Sequence, residues 1–271
     1  MSQSYIVFFD SGIGGLTLLE ECCRKLEGER LLYYGDNENA PYGNKSSRAI
    51  EALALNAFNY LSGFPVKAAV LACNTVTAEC AEALRRRFSF PIVGVEPALK
   101  PAAKRCKNVL VIATKATLSS RKFSGLCESV SADCRFTFHC PKDLAGEIES
   151  KIADLSQIDL ARHLPRGDYD GAVLGCTHYI YLRREISAYL KCPVFDGNAG
   201  TADHLIDLLA RSETLCTDFS NSGEFESKGE TVCLYSKDDK KYRRNEIYFA
   251  GNSALKNKKV FHTLLNINIC L

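Results

Sequence analysis

Two cysteines stand in matching surroundings. Ala69-Val70-Leu71-Ala72-Cys73 and Ala172-Val173-Leu174-Gly175-Cys176 are both apolar runs ending in a small residue and then a thiol. Polar residues follow each cysteine: Asn74-Thr75 in one case, Thr177-His178 in the other. A thiolate can remove a proton from carbon, and a thiol can return one. Two thiols facing one carbon from opposite sides would suit inversion of a stereocentre. Free cysteine has a pKa of about 8.5, so such a base needs helpers at neutral pH. His178 and Asp10 are the candidates. Two buried core cysteines would give the same pattern without chemistry.

The elements that must hold these residues follow from apolar patterning. Tyr5–Phe9 reads as a buried strand ending at Asp10, followed by the glycine-rich turn Ser11-Gly12-Ile13-Gly14-Gly15 and a helix over Leu16–Leu26. Leu31–Tyr34 reads as a strand, Ser47–Leu61 as a helix, Ala68–Ala72 as a strand, Thr77–Phe88 as a helix and Pro91–Val95 as a strand. The alternation resumes at Val109–Ala113. Continuous apolar strands separated by helices indicate parallel sheets covered on both faces. The glycine-rich turn lies between a strand and a helix, where amides can receive an anion. It lacks G-x-G-x-x-G spacing and a Walker lysine, which argues against a nucleotide.

The echo extends beyond the thiols. A helix follows each, and then a strand opened by proline: Phe90-Pro91-Ile92-Val93 and Cys192-Pro193-Val194-Phe195. Ile6–Phe9 before Asp10 corresponds to Val109–Ala113 before Thr114. Strand, cysteine, helix and Pro-strand recur in order at an offset of 103 residues, which predicts two related α/β lobes. The expected division is 1–96 plus 199–271 for the first lobe and 97–198 for the second. In the tail, Ala202–Leu209 reads as a helix, and Thr231–Tyr235 and Ile247–Phe249 as strands returning to the first lobe. The charged stretch Lys237–Arg244 reads as a solvated loop or hairpin.

Composition limits the alternatives. Of 271 residues, 46% are hydrophobic and 24% charged, with a net charge of +2. That describes a globular chain, not a disordered one, and gives no basic face for nucleic acid or a membrane surface. The N-terminus lacks the basic segment of a signal peptide, and no run of 18 apolar residues occurs, so a cytoplasmic location is expected. The 13 cysteines are odd in number, with no C-x-x-C pair; they predict free, mostly buried thiols, neither a disulfide framework nor a zinc site.

Phe9-Asp10-Ser11-Gly12-Ile13-Gly14-Gly15-Leu16, Pro41-Tyr42-Gly43, Ala72-Cys73-Asn74-Thr75 and Gly175-Cys176-Thr177-His178 together resemble the motifs of the glutamate racemases, within the cofactor-independent aspartate/glutamate racemase superfamily. The resemblance covers nearly the whole chain. It implies an α/β fold of two pseudo-symmetric lobes, each a mostly parallel sheet flanked by helices, with glutamate bound in the interlobe cleft. It implies no pyridoxal phosphate, no metal and no other cofactor, and it admits a homodimer. The activity implied is racemisation of glutamate, supplying the D-enantiomer for peptidoglycan. Cys73 and Cys176 would be the two proton donor/acceptors, Cys73 acting on D-glutamate and Cys176 on L-glutamate. Asp10, Ser11, Tyr42, Gly43, Asn74, Thr75, Thr177 and His178 would line the substrate site, with Thr114 and Thr117 in a threonine-rich turn. The family also carries a glutamate upstream of the second cysteine; Glu149 fits best and Glu147 is its rival. Where the family continues with Phe-Pro after the second motif, this chain has Tyr179-Ile180-Tyr181. Aspartate racemase, a cysteine-nucleophile hydrolase or transferase, and a non-catalytic anion-binding module are the competing readings.

Overall fold

The computed structural model describes residues 4–130, 134–212, 214, 232–235 and 245–266. Strand β1 (Tyr5–Asp10) is buried at every position. Apolar side chains on both faces of a strand require cover on both sides, so β1 lies inside a sheet. It pairs in parallel with β2 (Arg30–Gly35) on one side and β3 (Val66–Leu71) on the other. Beyond β3 lies β4 (Ile92–Gly94). The connecting helices are α1 (Leu16–Lys25), α2 (Ser47–Leu61) and α3 (Asn74–Arg87). Ser46 starts α2 by accepting from the Ala49 amide, which fixes the boundary where the sequence put it.

After α4 (Leu99–Ala103), the same plan repeats. Strand β5 (Asn108–Ala113) lies between β6 (Arg135–His139) and β7 (Gly171–Gly175), and β8 (Val194–Phe195) pairs with β7, all in parallel. Strand order is β4-β3-β1-β2 in the first sheet and β8-β7-β5-β6 in the second. The offset echo in the sequence is therefore an echo in topology. Between β5 and β6 run α5 (Lys115–Ser119) and α6 (Arg121–Glu128); α7 (Leu144–Ser150) and two 3₁₀ turns lead to β7.

The tail extends the first sheet. Helix α8 (Arg183–Leu190) precedes β8, and α9 (Asn198–Arg211) follows it, packing on α1. Strands β9 (Val232–Tyr235) and β10 (Glu246–Phe249) add beyond β2, with β10 parallel to β2 and antiparallel to β9. Helix α10 (Ala254–Asn266) then packs on α1 and β10. The charged stretch Lys237–Arg244 lies outside the described residues.

Two expected boundaries move. The helix after Cys73 starts at Asn74, three residues before Thr77, because polar Asn74 and Thr75 occupy its first turn and hide the apolar period. The segment after Cys176 does not enter an α-helix directly; Thr177–Leu182 forms a 3₁₀ helix, and α8 begins only at Arg183. All six residues of that 3₁₀ segment are buried. Ten described cysteines are free, eight of them buried. Among the described residues, no helix is long and apolar enough to cross a membrane.

Candidate active site

Each cysteine sits where a parallel strand gives way to a helix, the edge at which open α/β sheets gather ligands. Cys73 follows β3 and occupies the N-cap position of α3; Cys176 follows β7 and caps the 3₁₀ segment. Both are buried, at 6% and 7% exposure. The matching central strands end at Asp10 and Thr114, and each of these residues reaches the other half of the molecule. Asp10 Oδ2 accepts from the Thr177 hydroxyl at 3.1 Å, next to Cys176. The Thr114 and Thr75 hydroxyls lie 2.9 Å apart, two residues past Cys73. Thr117 joins the same chain of hydroxyls at 3.0 Å.

The glycine-rich loop ties the two thiols together. Ser11 Oγ lies 3.5 Å from Cys73 Sγ. At Gly14 a Cβ would come within 2.6 Å of both His178 Nδ1 and Thr177 Oγ1, so only glycine admits His178 there. The loop amides are already engaged: Gly12 N donates to Asp10 Oδ1 at 2.7 Å, and Ile13 N to Glu149 Oε2 at 3.1 Å. The anion that the loop was expected to receive is thus, in part, a carboxylate of the protein's own second half.

Glu149 and Glu147 take different places. Glu149 Oε2 lies 2.8 Å from His178 Nε2, and His178 Nδ1 lies 4.0 Å from Cys176 Sγ. Glu149 Oε1 accepts from Asn37 Nδ2 at 2.6 Å and Lys256 Nζ at 2.8 Å. Glu147 points elsewhere, to Lys151 at 2.5 Å and His163 at 2.7 Å. Tyr42 is buried with its ring edge-on to Phe9 and its hydroxyl donating to Asp36 at 2.6 Å. Gly43 meets Thr114: a Cβ there would lie 2.6 Å from Thr114 Cγ2. Asn74 is buried and its Nδ2 has no partner.

Burial governs the electrostatics. It raises the Asp10 carboxyl to about 6, against the opposing pulls of His178, the Gly12 amide and Thr177. It raises the Cys73 thiol to about 12; the Asp10 charge adds to this, and the Ser11 hydroxyl and Val76 amide oppose it. At His178 burial works against the charged form, but hydrogen bonds to Cys176 and Glu149, with the charges of Cys176 and Asp10, win and hold the imidazole well above its usual value. Glu149 is the counterpart. Burial would raise it, yet His178, Lys256 and the Ile13 amide bring it down to about 2. A protonated His178 between Glu149 and Cys176 follows.

Sequence reasoning missed Asn37, Lys256, Tyr33 and Tyr181. The Tyr33 hydroxyl donates to Gly12 O at 2.8 Å and the Tyr181 hydroxyl to Ile13 O at 2.7 Å, so two phenols hold the loop's carbonyls. Only Tyr181 had a signal, as one of the residues in the departure Tyr179-Ile180-Tyr181. Lys256 lies over a hundred residues from Glu149, and no local pattern announces that pairing.

A family model described as Asp/Glu/hydantoin racemase matches residues 14–205. Glutamate racemase 2 of Bacillus subtilis is 35% identical over 255 residues, covering 86% of this chain and 94% of the relative. The glutamate racemase of Halothermothrix orenii is 36% identical over 252 residues, covering 90% and 96%. Among solved structures, a glutamate racemase isoform of Bacillus anthracis superposes with a TM-score of 0.69 at 30% identity, covering 81% of this chain and 86% of that one. The Escherichia coli glutamate racemase, solved with L-glutamate and the activator UDP-MurNAc-Ala, also gives 0.69, at 29% identity over 77% of this chain and 83% of its own.

Proposed function

The chain belongs to the Asp/Glu/hydantoin racemase family, and we propose that it interconverts L- and D-glutamate by proton transfer between Cys73 and Cys176, supplying D-glutamate for peptidoglycan. The observation that carries this reading is the pair of thiols at equivalent strand ends, joined through one loop and two reciprocal contacts from Asp10 and Thr114. Residues 1–96 with 199–271, and 97–198, are taken as the two lobes, with the substrate in the cleft between them.

The chemistry runs as follows. One thiolate takes the α-proton from its face of glutamate, becoming a thiol and leaving a planar carbanion. The opposite thiol delivers its proton to the other face and becomes a thiolate. The product is the other enantiomer, and the two thiols have exchanged protonation states. By the family pattern, Cys176 abstracts from L-glutamate and Cys73 from D-glutamate. Burial makes the Cys73 thiolate a stronger base, which narrows its gap to a weak carbon acid, and the substrate ammonium entering the site would offset the desolvation cost. His178, held by Glu149, assists Cys176; Asp10, whose charge acts on Cys73, assists there. The unpartnered Asn74 amide and the hydroxyls of Thr75, Thr117 and Thr177 offer donors to the substrate carboxylates, with Ser11, Tyr42 and Gly43 closing the pocket around them.

Incubation of the purified protein with L-glutamate, without added cofactor, followed by chiral chromatography tests the function. D-glutamate should accumulate toward an equal mixture. Its absence, or equal turnover of L-aspartate, would overturn the assignment to glutamate.

A further inference from the structure

Glu149 reaches His178 with one oxygen and is gripped at the other. Oε2 faces His178 Nε2 and the Ile13 amide; Oε1 accepts from Asn37, just past β2, and from Lys256, on α10. Asn37 lies 112 residues before Glu149 and Lys256 lies 107 after it, so the grip on Oε1 comes from distant parts of the chain. The Glu149 side chain is 11% exposed, whereas that of Lys256 is 45% exposed. A half-exposed lysine gains little from an ion pair made for stability alone, because solvent screens it. Its consequence lies in orientation. A carboxylate held at both oxygens presents one fixed acceptor to the imidazole, and small displacements in such a chain are costly to rate.

From this geometry we infer that Lys256 is a positioning residue for proton transfer at Cys176, acting through Glu149 and His178 without touching substrate. The inference rests on the racemase reading for its effect on turnover, but its effect on the thiol does not need a substrate. The chain Lys256–Glu149–His178–Cys176 serves one thiol only. Cys73 has the Ser11 hydroxyl beside it and lies outside the chain.

The experiment compares Lys256→Met, Lys256→Arg and, as a control on the same helix, Lys259→Met, which removes a charge from an exposed position. Two quantities are read: steady-state kinetics with glutamate, and the rate at which iodoacetamide alkylates each cysteine at neutral pH, followed peptide by peptide by mass spectrometry. Lys256→Met should lower kcat by about tenfold to a hundredfold with KM nearly unchanged. It should slow alkylation of Cys176 relative to Cys73. Lys256→Arg should restore both, and Lys259→Met should change neither. Alkylation of Cys176 at the wild-type rate or faster in Lys256→Met, equal slowing at both cysteines, or the same loss in Lys259→Met would overturn the inference. If the wild-type protein does not racemise glutamate, the functional reading fails, and the alkylation ratio still decides whether Lys256 acts on Cys176.

Discussion

At Cys73 the chain turns from β3 straight into a 14-residue α-helix; at Cys176 it turns from β7 into a buried 3₁₀ segment. The first thiol caps a long helix, meets the Ser11 hydroxyl and feels the charge of Asp10. The second faces an imidazole backed by a carboxylate, an amide and a lysine. Topology makes the two ends equivalent, while their neighbours make them chemically distinct. A protein that inverts one centre in both directions needs two bases at mirror positions, but it binds a single chiral frame. Symmetry of the backbone supplies the positions, and asymmetry of the neighbours matches the frame. The 3₁₀ segment is where this divergence is built, since its tight turn carries Thr177 and His178 toward the Asp10–Gly15 loop.

The comparison breaks most severely on removal of a thiol. On the two-base reading, Cys73→Ala and Cys176→Ala should each lower racemisation by at least about a thousandfold, since inversion then needs a proton carrier on each face. The two variants should differ in what survives. In deuterated water, Cys73→Ala should still exchange the α-proton of L-glutamate, and Cys176→Ala that of D-glutamate. Proton NMR of the recovered glutamate distinguishes them. Near-normal racemisation by either variant would show that one base suffices.

The equivalence of the two halves was legible in the sequence; their divergence was not. Apolar strands, the two cysteines and the two Pro-strands are local patterns, and they correctly forecast an α/β chain with a repeated strand order. Side chains that meet across the fold leave no such trace. Lys256 and Asn37 meet at Glu149 only because β10 adds beyond β2 and brings α10 with it. The 3₁₀ start after Cys176 was hidden for another reason: Thr177–Leu182 is buried throughout, so burial leaves no period by which to tell a helix type. The two glutamates of α7 illustrate the same limit. Sequence offered both Glu147 and Glu149, and their separate partners follow from which side of a short helix faces the first half.

Asp10 sharpens the contrast through pH. Its folded-state pKa is raised from 3.8 to about 6, so folding favours its protonated form. The stability from this group is fully present below about pH 4 and is lost as pH rises through 6. A shift of that size corresponds to about 3 kcal/mol at most. Urea unfolding should show wild type losing stability from pH 4.5 to 7 relative to Asp10→Asn. Glu149 works in the opposite sense and in a different window, its contribution being lost as pH falls from 4.5 toward 2. If Asp10 assists Cys73 as a carboxylate, kcat should also rise through pH 6 and lose that limb in Asp10→Asn. An unchanged acid limb in the variant would remove Asp10 from that role.

Gly14→Ala probes the contact between loop and imidazole. The added Cβ would lie 2.6 Å from His178 Nδ1 and Thr177 Oγ1, and 2.8 Å from the His178 amide. The His178 backbone on one side and the buried His178 ring and Thr177 hydroxyl on the other leave little room to yield, so overpacking of about 1–3 kcal/mol is expected. The loss should appear as a lower urea midpoint and slower alkylation of Cys176, with Cys73 less affected. Equal disturbance of both thiols would mean that the loop moves as one body.

Tyr181→Phe is the gentlest of these changes. It removes one hydroxyl, whose hydrogen bond to Ile13 O measures 2.7 Å, and leaves the ring in place. The Ile13 carbonyl also accepts from the Leu16 amide at 3.1 Å, so the variant loses one of two hydrogen bonds there and leaves no oxygen unpaired. The same residue is held from its other side, because the Ile13 amide donates to Glu149. Both polar groups of one peptide position are therefore claimed by the second half of the chain. Losing the phenol leaves the carbonyl with the Leu16 amide alone, and the Ile13 amide still anchors the loop to the side of Glu149 and His178. Stability should fall by about 0.5–1.5 kcal/mol in urea unfolding, the net value of one hydrogen bond, with kcat reduced less than about fivefold. Because Ser11 and Asp10 stand on the same loop as Ile13, the slackening should be felt first at Cys73, as a changed alkylation rate there while Cys176 keeps its own. A change confined to Cys176 would instead place the phenol among the supports of His178, and the two ends of the site would be less independent than their neighbours suggest.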